Sequence, residues 1–548
     1  MRLSRLEFII IAVAITLVFV VFGRSLQTEF VAWDDDINIY KNEHIYGLTA
    51  ENLKWMFTDL QQALRYKPLN WFTWAALYSL EGRLNPFNYH LANLLFHAAN
   101  TLLVFLLLRH LLLRRTHAAD GTRERSWVAL ASGLGTLFWA LHPLRVEPVA
   151  WATGLPYGQS TMFTLASLLC YLKAQALANE PARKRKFYWL SVLAFALAVF
   201  TYPIVLAFPV VLVILDALVL RRFESGWWNA SARGVWVEKL PFFGVTALIF
   251  LITLYGRMNA SGLWTEAKTI EQFGIGSRTM QAFYIWAYYV WKPWYPTGLT
   301  PVYATLMQFN PSDAPFVASL ALVVVLSAGL FIARRRWPGV WTVWLCHLVL
   351  LVPHLGLLEH PHYPSDRYGF IVGIVWAVLL AGAIMELRKH SRAQTVAAVA
   401  LAGVVALFAT LSRQQGAIWE NRFTLYQQIV ANLPDGLYRA NVWFRYGVAH
   451  MQIKEYPQAI SAYRQSLRIF PGDPMTHHNV AICYAESKRM DLAIKHFREA
   501  VRLQPEKAER HRNLAVALKL DGQVEEAKVH FTRAEELENG GKNLREGR

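Results

Sequence analysis

Apolar stretches close to the thickness of a bilayer recur along this chain up to about residue 412. A membrane span needs about 20 apolar residues in a helix, because a helix satisfies its own backbone hydrogen bonds where water is absent. Hydrophobic residues make up 55% of the 548 and charged residues only 17%, against roughly 25% charged in soluble proteins. The sequence therefore predicts an all-α, polytopic membrane bundle.

About eleven stretches come near this length. They lie near residues 7–23, 90–113, 127–142, 159–178, 187–201, 203–220, 240–256, 314–333, 340–355, 369–386 and 394–412. The first lacks a small-residue cleavage site, so we expect an uncleaved span and not a signal peptide. A further aromatic segment, 281–296, is interrupted by Lys292, Pro293 and Pro296. We expect it to be interfacial or re-entrant, since Trp and Tyr favour the headgroup region.

The formal charge of +17 falls in short basic blocks between these stretches. The blocks include Arg114-Arg115, Arg183 to Lys186, Arg221-Arg222, Arg334 to Arg336 and Arg388-Lys389. With the N-terminus inside, alternation puts every block on the cytoplasmic side. It puts the loops 24–89, 143–158, 257–313 and 356–368 outside, together with everything after 412. No nucleic-acid recognition module accompanies the charge, so we assign it to topology and not to nucleic acid.

The three cysteines, Cys170, Cys346 and Cys483, show no metal-binding spacing and are expected to be small buried hydrophobes.

A period of 34 residues begins at about residue 440. It relates Ala459, Ala493 and Ala527, and it relates Tyr463, Phe497 and Phe531. Small and aromatic residues at these offsets are typical of tetratricopeptide repeats, in which paired helices stack into a solenoid. We predict a membrane domain over 1–412, a connecting helix and half-repeat over 413–439, three repeats over 440–538 and a flexible tail over 539–548. The repeats predict a surface for a peptide or protein partner; oligomerisation or assembly is the alternative use.

Three adjacent carboxylates, Asp34, Asp35 and Asp36, follow Trp33 in the first outer loop. Like charges this close to a membrane are costly unless they hold a cation, meet a basic partner or carry out acid–base chemistry. The alternative is a solvated loop or a helix cap.

Two later outer loops bring more polar groups to the same side. The second contains His142, Arg145 and Glu147, where Glu147 either adds a carboxylate to the site or pairs with Arg145. The last runs from Glu359 to Tyr368. Its histidines, His360 and His362, suggest a metal only weakly, because prolines interrupt them and no i, i+4 pair is present.

Lys67, Lys292 and Arg367 are candidates for binding a phosphate, Arg through its bidentate fork and Lys as a point charge; as single residues they would be interface anchors. The chain contains neither a Walker loop nor the Rossmann glycine pattern. ATP is absent on the outer side of the membrane, so a sugar donor that is used there must already be activated. A lipid-phosphate sugar fits, because its tail lies in the bilayer while its phosphate reaches the interface.

An ordered set of motifs resembles a known family. The residues are Phe30 to Asp35 with Asn42 and Ile45, Tyr66-Lys67-Pro68-Leu69, Gly82 with Asn85-Pro86-Phe87, His90 to His97, Leu141-His142-Pro143, Val146 to Trp151, Tyr295 to Leu299 with Val302-Tyr303, and Asp366-Arg367-Tyr368. Together they resemble the transmembrane and tetratricopeptide-repeat O-mannosyltransferases and their bacterial relatives, within the GT-C glycosyltransferase superfamily. The chain departs from the family pattern at Ala152 to Gly158, at Thr201-Tyr202-Pro203 and at Lys67, which bears on the sugar and the acceptor.

The resemblance implies a GT-C-like bundle and a polyprenyl-phosphate sugar donor, with inversion at the sugar and a first-loop aspartate as base. On this basis Asp34 is the base, Asp35 or Asp36 orients it or holds a divalent metal, and Glu147 completes the acidic rim. Lys67, Lys292 and Arg367 bind the donor phosphate, and Asp36, His142, Arg145, Asp366 and Tyr368 support the site. The acceptor is a protein at the repeats, with a lipid or polysaccharide acceptor and a non-catalytic scaffold as alternatives. We expect the bacterial inner membrane with the site in the periplasm, or the lumenal face of the endoplasmic reticulum.

Overall fold

The chain divides into two compact units, Met1–Asn421 and Arg422–Arg548. The computed structural model describes residues 3–60, 62, 66–115, 121–177, 179–224, 226–259, 273–303, 309–357, 362, 364–387 and 390–546. Within these ranges every regular element is a helix, which confirms the predicted all-α class.

The first unit is a helical bundle joined by short turns. Its α-helices are α1 (Arg5–Phe22), α2 (Ala50–Thr58), α3 (Pro68–Ser79), α4 (Pro86–Arg115), α5 (Thr122–Ala140), α6 (Val146–Ala150), α7 (Leu155–Gln175), α8 (Pro181–Thr201), α9 (Phe208–Leu218), α10 (Ala230–Val237), α11 (Leu240–Met258), α12 (Ile275–Trp291), α13 (Ala314–Ile332), α14 (Pro338–Leu351), α15 (Gly369–Glu386) and α16 (Ser391–Gly416).

Local sequence signals set where these helices begin. At α1, Ser4 Oγ accepts from the Glu7 backbone N–H and the Glu7 carboxylate accepts from the Ser4 N–H, which is a capping box. A proline occupies the first turn of α3, α8 and α14. Its fixed φ suits a helix start, and its missing N–H would have no partner there.

Each predicted span coincides with a helix in the structure. Six helical segments within the described residues are long and apolar enough to cross a membrane: Arg5–Gln27, Pro86–Arg114, Ala232–Met258, Ala314–Arg335, Asp366–Glu386 and Ser391–Trp419. The bent pair Arg123–Ala140 and Pro143–Ala150, at 60°, would make a seventh. The other predicted spans are shorter apolar helices, Pro203–Leu218 and Pro338–His354, or carry more polar residues, as α7 and α8 do. A membrane protein is supported, and the count of eleven stays a prediction.

Helix α12 contains most of the aromatic segment predicted to be interfacial or re-entrant. Near its start, Arg278 Nη1 donates to the Leu357 carbonyl at 2.8 Å. Just beyond its end, the Pro293 carbonyl oxygen lies 2.8 Å from His142 Nε2. Between these ends, Trp286 Nε1 donates to the Leu348 carbonyl of α14 at 3.0 Å. The helix therefore packs against the bundle, and its interfacial or re-entrant position stays a prediction.

The second unit is a stack of helical hairpins. Its helices are α17 (Arg422–Asn432), α18 (Leu437–Gln452), α19 (Tyr456–Ile469), α20 (Pro474–Glu486), α21 (Met490–Leu503), α22 (Ala508–Leu520) and α23 (Val524–Glu546). Its core contains Ala459, Ala493 and Ala527 together with the rings of Tyr463 and Phe497. These are the small and aromatic positions of the predicted repeats, which confirms the solenoid. Helix α23 continues beyond residue 538, where the repeats were predicted to end.

Two histidine pairs occupy equivalent positions in successive repeats. His477 Nδ1 lies 2.9 Å from His496 Nδ1, and 34 residues later His511 Nδ1 lies 2.9 Å from His530 Nδ1. The first repeat has Trp443 and Ala462 at the corresponding positions. Where the first repeat has one large and one small side chain, each later repeat therefore has two titratable imidazole rings of intermediate size.

Acid is expected to destabilise the repeat unit through these pairs. Burial, and then the charge of His477, lowers the pKa of His496 to about 4 from 6.5, and burial lowers the pKa of His530. Because the unfolded chain binds the proton more readily, the free energy of unfolding falls as the pH drops from about 6.5 towards about 4. Hydrogen exchange of α20–α23 in the full chain at pH 7 and pH 5 measures this. Combining His477→Trp with His496→Ala copies the first repeat and should weaken the pH dependence; an undiminished dependence would contradict this explanation.

Candidate active site

Hydrogen bonds and ion pairs join the four predicted outer loops. The joining pairs are Asp35 with Thr153, Glu147 with Arg367, His142 with Pro293, and Tyr303 with Asp366. Contacts of this kind require the loops to lie at the same end of the bundle. That this end faces outward stays a prediction of the charge pattern.

Asp34 has an unusual backbone conformation. Its φ is +66°, in the left-handed region, and the residue is half-buried. Aspartate tolerates this region better than most residues other than glycine, but at a cost of about 1–3 kcal/mol, and such strain clusters at functional sites. The carbonyl of the preceding Trp33 accepts a hydrogen bond from Trp151 Nε1 at 2.9 Å. The strained turn is thereby attached to the second outer loop.

Asp35 is fully buried and joins the first two outer loops. Its Oδ1 accepts from the Thr153 N–H at 3.0 Å and the Thr153 hydroxyl at 2.6 Å, and its Oδ2 accepts from the Val31 N–H at 2.9 Å. Burial raises the pKa of Asp35 to about 7, although these hydrogen bonds favour the ionised form. With both oxygens engaged, Asp35 is suited to positioning the turn that carries Asp34.

The triplet does not provide a complete set of metal ligands. The oxygens of Asp35 are occupied, and Asp36 lies 3.6 Å from Lys41 Nζ. Across the parts of the chain that the structure describes, no group of three or more His, Cys, Asp or Glu side chains is arranged so that it could hold a metal ion. The late-loop candidates Glu359 and His360 lie outside the described residues. The described residues therefore do not fit a resident metal at this position.

Glu147 and Arg367 form a buried ion pair. Arg367 Nη1 lies 2.5 Å from Glu147 Oε1, with side-chain exposures of 16% and 2%. Glu147 Oε2 also accepts from the Arg367 N–H at 2.8 Å and the Ser365 hydroxyl at 3.1 Å. Glu147 thus pairs with an arginine of the last loop, and not with its sequence neighbour.

Arg145 instead points into the bundle. Its Nε donates to the Trp139 carbonyl at 3.1 Å and its Nη1 donates to the Gly369 carbonyl at 2.6 Å. A Cβ at Gly373 would collide with the guanidinium, so the glycine makes room for it. Arg145 therefore holds the second loop against α15, and His142 holds the same loop against Pro293.

Arg367 is also surrounded by aromatic residues. Its Nε donates to the Tyr157 hydroxyl at 3.1 Å, and that hydroxyl lies 3.4 Å from the Tyr202 hydroxyl. The guanidinium carbon lies 5.5 Å from the Trp151 ring centroid and 5.3 Å from that of Tyr368. Because Trp151 also holds Trp33, the indole connects Arg367 with the turn at Asp34.

The two candidate lysines are both buried beside aromatic rings. Lys67 Nζ donates to Asn38 Oδ1 at 3.1 Å and lies 4.2 Å from the Trp71 ring centroid. Lys292 Nζ donates to the Thr297 carbonyl at 2.6 Å and lies 5.4 Å from the ring centroid of Tyr303. The Tyr303 hydroxyl in turn donates to Asp366 at 2.6 Å. Lys67 thus binds another residue of the first loop, and Lys292 is connected through Tyr303 with the last loop.

Sequence reasoning missed several residues that hold this site together: Thr153, Tyr157, Tyr202, Ser365 and Tyr303. Thr153, Tyr157 and Tyr202 fall in the segments where the chain departs from the family pattern, so the departures were the available signal. Tyr303 belongs to a motif of the resemblance and Ser365 to the last outer loop, but neither signal shows its partner, which is distant in sequence.

Comparison with known proteins identifies the repeats and the relatives of the chain. Models of the tetratricopeptide repeat match residues 440–473 and 476–507. Human protein O-mannosyl-transferase TMTC4 is 23% identical over 461 residues, which cover 76% of this chain and 60% of the relative. Mouse protein O-mannosyl-transferase TMTC3 is 22% identical over 537 residues, which cover 89% of this chain and 54% of the relative.

Among solved structures, MamA from Desulfovibrio magneticus is 18% identical and covers 30% of this chain and 94% of that chain, at a TM-score of 0.21. The chain spans only 54% to 60% of the length of the two curated relatives. The resemblance stated from the motifs is nevertheless confirmed: the curated relatives of this chain are the transmembrane and tetratricopeptide-repeat protein O-mannosyltransferases.

Proposed function

We propose that the chain is a membrane glycosyltransferase that moves a sugar from a polyprenyl-phosphate carrier to a hydroxyl group of a protein. The observation that carries the proposal is the strained Asp34 turn, which Trp33 and Trp151 connect to the Arg367–Glu147 pair. A carboxylate and a cation brought together at the mouth of a membrane bundle suit a reaction that removes a proton and releases a phosphate. The printed names of the relatives point to the same class and make mannose the first sugar to test.

In the proposed reaction the acceptor hydroxyl oxygen attacks the anomeric carbon of the sugar. The new C–O bond forms as the bond from that carbon to the phosphate oxygen breaks, and the bonding electrons leave with the polyprenyl phosphate. A single displacement of this kind inverts the anomeric centre. Asp34 takes the hydroxyl proton, which typically contributes about 10²–10⁴-fold.

The cations around the site stabilise the charge that develops on the leaving phosphate. Arg367 presents a planar fork, and Lys67 and Lys292 present point charges. Asp35 and Glu147, whose oxygens are already engaged, act as positioning residues for the Asp34 turn and for Arg367. No step requires a metal.

The tetratricopeptide unit provides the surface for the protein acceptor. Solenoids of this kind expose an extended concave face that binds partners. We place the unit and the site on the periplasmic side of a bacterial inner membrane, as the basic blocks predict.

The test uses purified protein in nanodiscs with a panel of radiolabelled polyprenyl-phosphate sugars, beginning with mannose. Turnover of one donor, with label transferred to a periplasmic protein, supports the proposal. Mass spectrometry of the secreted proteome and envelope lipids, with and without the gene, identifies the acceptor. Altered lipids with unchanged proteins would show a lipid or polysaccharide acceptor. If folded protein turns over none of the donors, the result would favour a non-catalytic assembly scaffold.

A further inference from the structure

Helix α3 contains buried polar atoms that lack hydrogen-bond partners. Asn70 is 0% exposed, and neither its Nδ2 nor its Oδ1 has a partner within the described structure. Trp74, one turn later on the same face, is also 0% exposed, and its Nε1 has none. An unsatisfied buried polar group costs about 1–3 kcal/mol, so native proteins rarely retain one without a reason.

A third residue brings another such atom to this helix. Gln159 of α7 is 4% exposed, and its Nε2 donates to Thr73 Oγ1 at 2.9 Å. Its Oε1 has no partner in the described structure. Thr73 lies between Asn70 and Trp74 on α3, so the hydrogen bond brings the Gln159 amide beside the same stretch of helix. The four atoms comprise two donors, Asn70 Nδ2 and Trp74 Nε1, and two acceptors, Asn70 Oδ1 and Gln159 Oε1.

The cation at the start of the same helix indicates where a ligand would lie. Lys67 precedes α3, is 4% exposed, and its Nζ lies 5.0 Å from the Trp74 ring centroid. Its Nζ also reaches Asn38, four residues after Asp34. A phosphate at Lys67 would therefore place the group attached to it beside Asn70 and Trp74.

We propose that Asn70, Trp74 and Gln159 form the subsite that binds the hydroxyl groups of the donor sugar. A sugar hydroxyl both donates and accepts, which matches a set containing two donors and two acceptors. An anion alone would use only the donors. This inference rests on the proposed function, because it takes the bound group to be the sugar of a polyprenyl-phosphate donor.

The test compares the binding of two ligands in nanodiscs: the polyprenyl-phosphate sugar that the wild type binds best, and bare polyprenyl phosphate. Asn70→Leu should weaken binding of the sugar donor by roughly 10- to 100-fold, the loss expected for about two hydrogen bonds. Binding of bare polyprenyl phosphate should change little. The melting temperature of the empty protein should stay the same or rise, because the variant removes two unsatisfied buried atoms.

Asn100→Leu is the matched control: Asn100 is also 0% exposed and its Oδ1 also lacks a partner within the described structure, but its Nδ2 donates to the Gly158 carbonyl at 2.8 Å. It should lower the melting temperature without changing donor binding. Trp74→Phe keeps an aromatic ring beside Lys67 but removes the indole N–H together with the five-membered ring, so it tests the subsite if Asn70→Leu does not fold. It should weaken binding of the sugar donor several-fold.

If the variants weaken binding of the sugar donor and of bare polyprenyl phosphate equally, these residues bind the phosphate and the sugar subsite is overturned. Unchanged donor binding in both Asn70→Leu and Trp74→Phe would also overturn it. A wild type that binds no sugar donor more tightly than bare polyprenyl phosphate would overturn it as well. A wild type that binds a donor through Asn70 but never transfers the sugar would contradict the transferase and leave the subsite supported.

Discussion

Replacing Asp34 by asparagine is expected to lower turnover of the donor by about 10²–10⁴-fold, because the amide cannot take the acceptor proton. The backbone should be unaffected. Asparagine, like aspartate, is enriched in the left-handed region that Asp34 occupies at φ +66°. The melting temperature and membrane insertion should therefore match those of the wild type. Turnover of the sugar donor by the purified variant is the measurement.

Asp36→Asn is the matched control for this prediction. The residue belongs to the same acidic triplet, but its carboxylate faces Lys41 at 3.6 Å and the lysine side chain is 67% exposed. The Asp36 side chain is itself 15% exposed, but asparagine keeps an oxygen that faces the Lys41 ammonium, so the control should fold and keep most of the activity. Full activity in Asp34→Asn, or an equal loss in Asp36→Asn, would contradict the assignment of the base to Asp34.

Replacing Glu147 by alanine is expected to destabilise the protein by about 3–5 kcal/mol, because it leaves the Arg367 guanidinium buried without its counter-ion. The loss should appear as a large fall in the melting temperature in detergent. Activity should fall as well, since Glu147 holds both the Arg367 backbone and its side chain.

A double variant separates the two effects. Glu147→Gln keeps an oxygen for the Ser365 hydroxyl and the Arg367 N–H, and Arg367→Leu removes the buried charge. Replacing a buried pair in this way is often neutral for stability, so the melting temperature should recover while activity stays low. If activity recovers with the melting temperature, Arg367 does not bind the donor phosphate.

The helices and the repeats could be predicted from the sequence because they depend on local patterns. Each predicted span coincides with a helix, and the 34-residue period identified the buried alanines and aromatic rings of the second unit. Membrane crossing depends on overall hydropathy as well as on helix length. Helices α7 and α8 are long enough but polar, so the structure supports fewer spans by length and composition than were predicted.

The partners within the site could not be predicted, because they are far apart along the chain. Glu147 is two residues from Arg145 along the chain, yet it pairs with Arg367, 220 residues away. The Arg145 guanidinium donates to the Gly369 carbonyl. This contact depends on the packing of α5 against α15, which the sequence does not show. The unsatisfied atoms of Asn70 likewise become visible only once every neighbour is placed.

The engagement of Arg367 has a consequence for the end of the catalytic cycle. Because Arg367 already has a carboxylate counter-ion, it attracts a phosphate less strongly than an unpaired arginine would. The spent carrier would then compete with Glu147 for the guanidinium and would be held less firmly than by an unpaired arginine. The proposed transferase should consequently show weak product inhibition by polyprenyl phosphate, with the carrier returning quickly to the membrane for recharging.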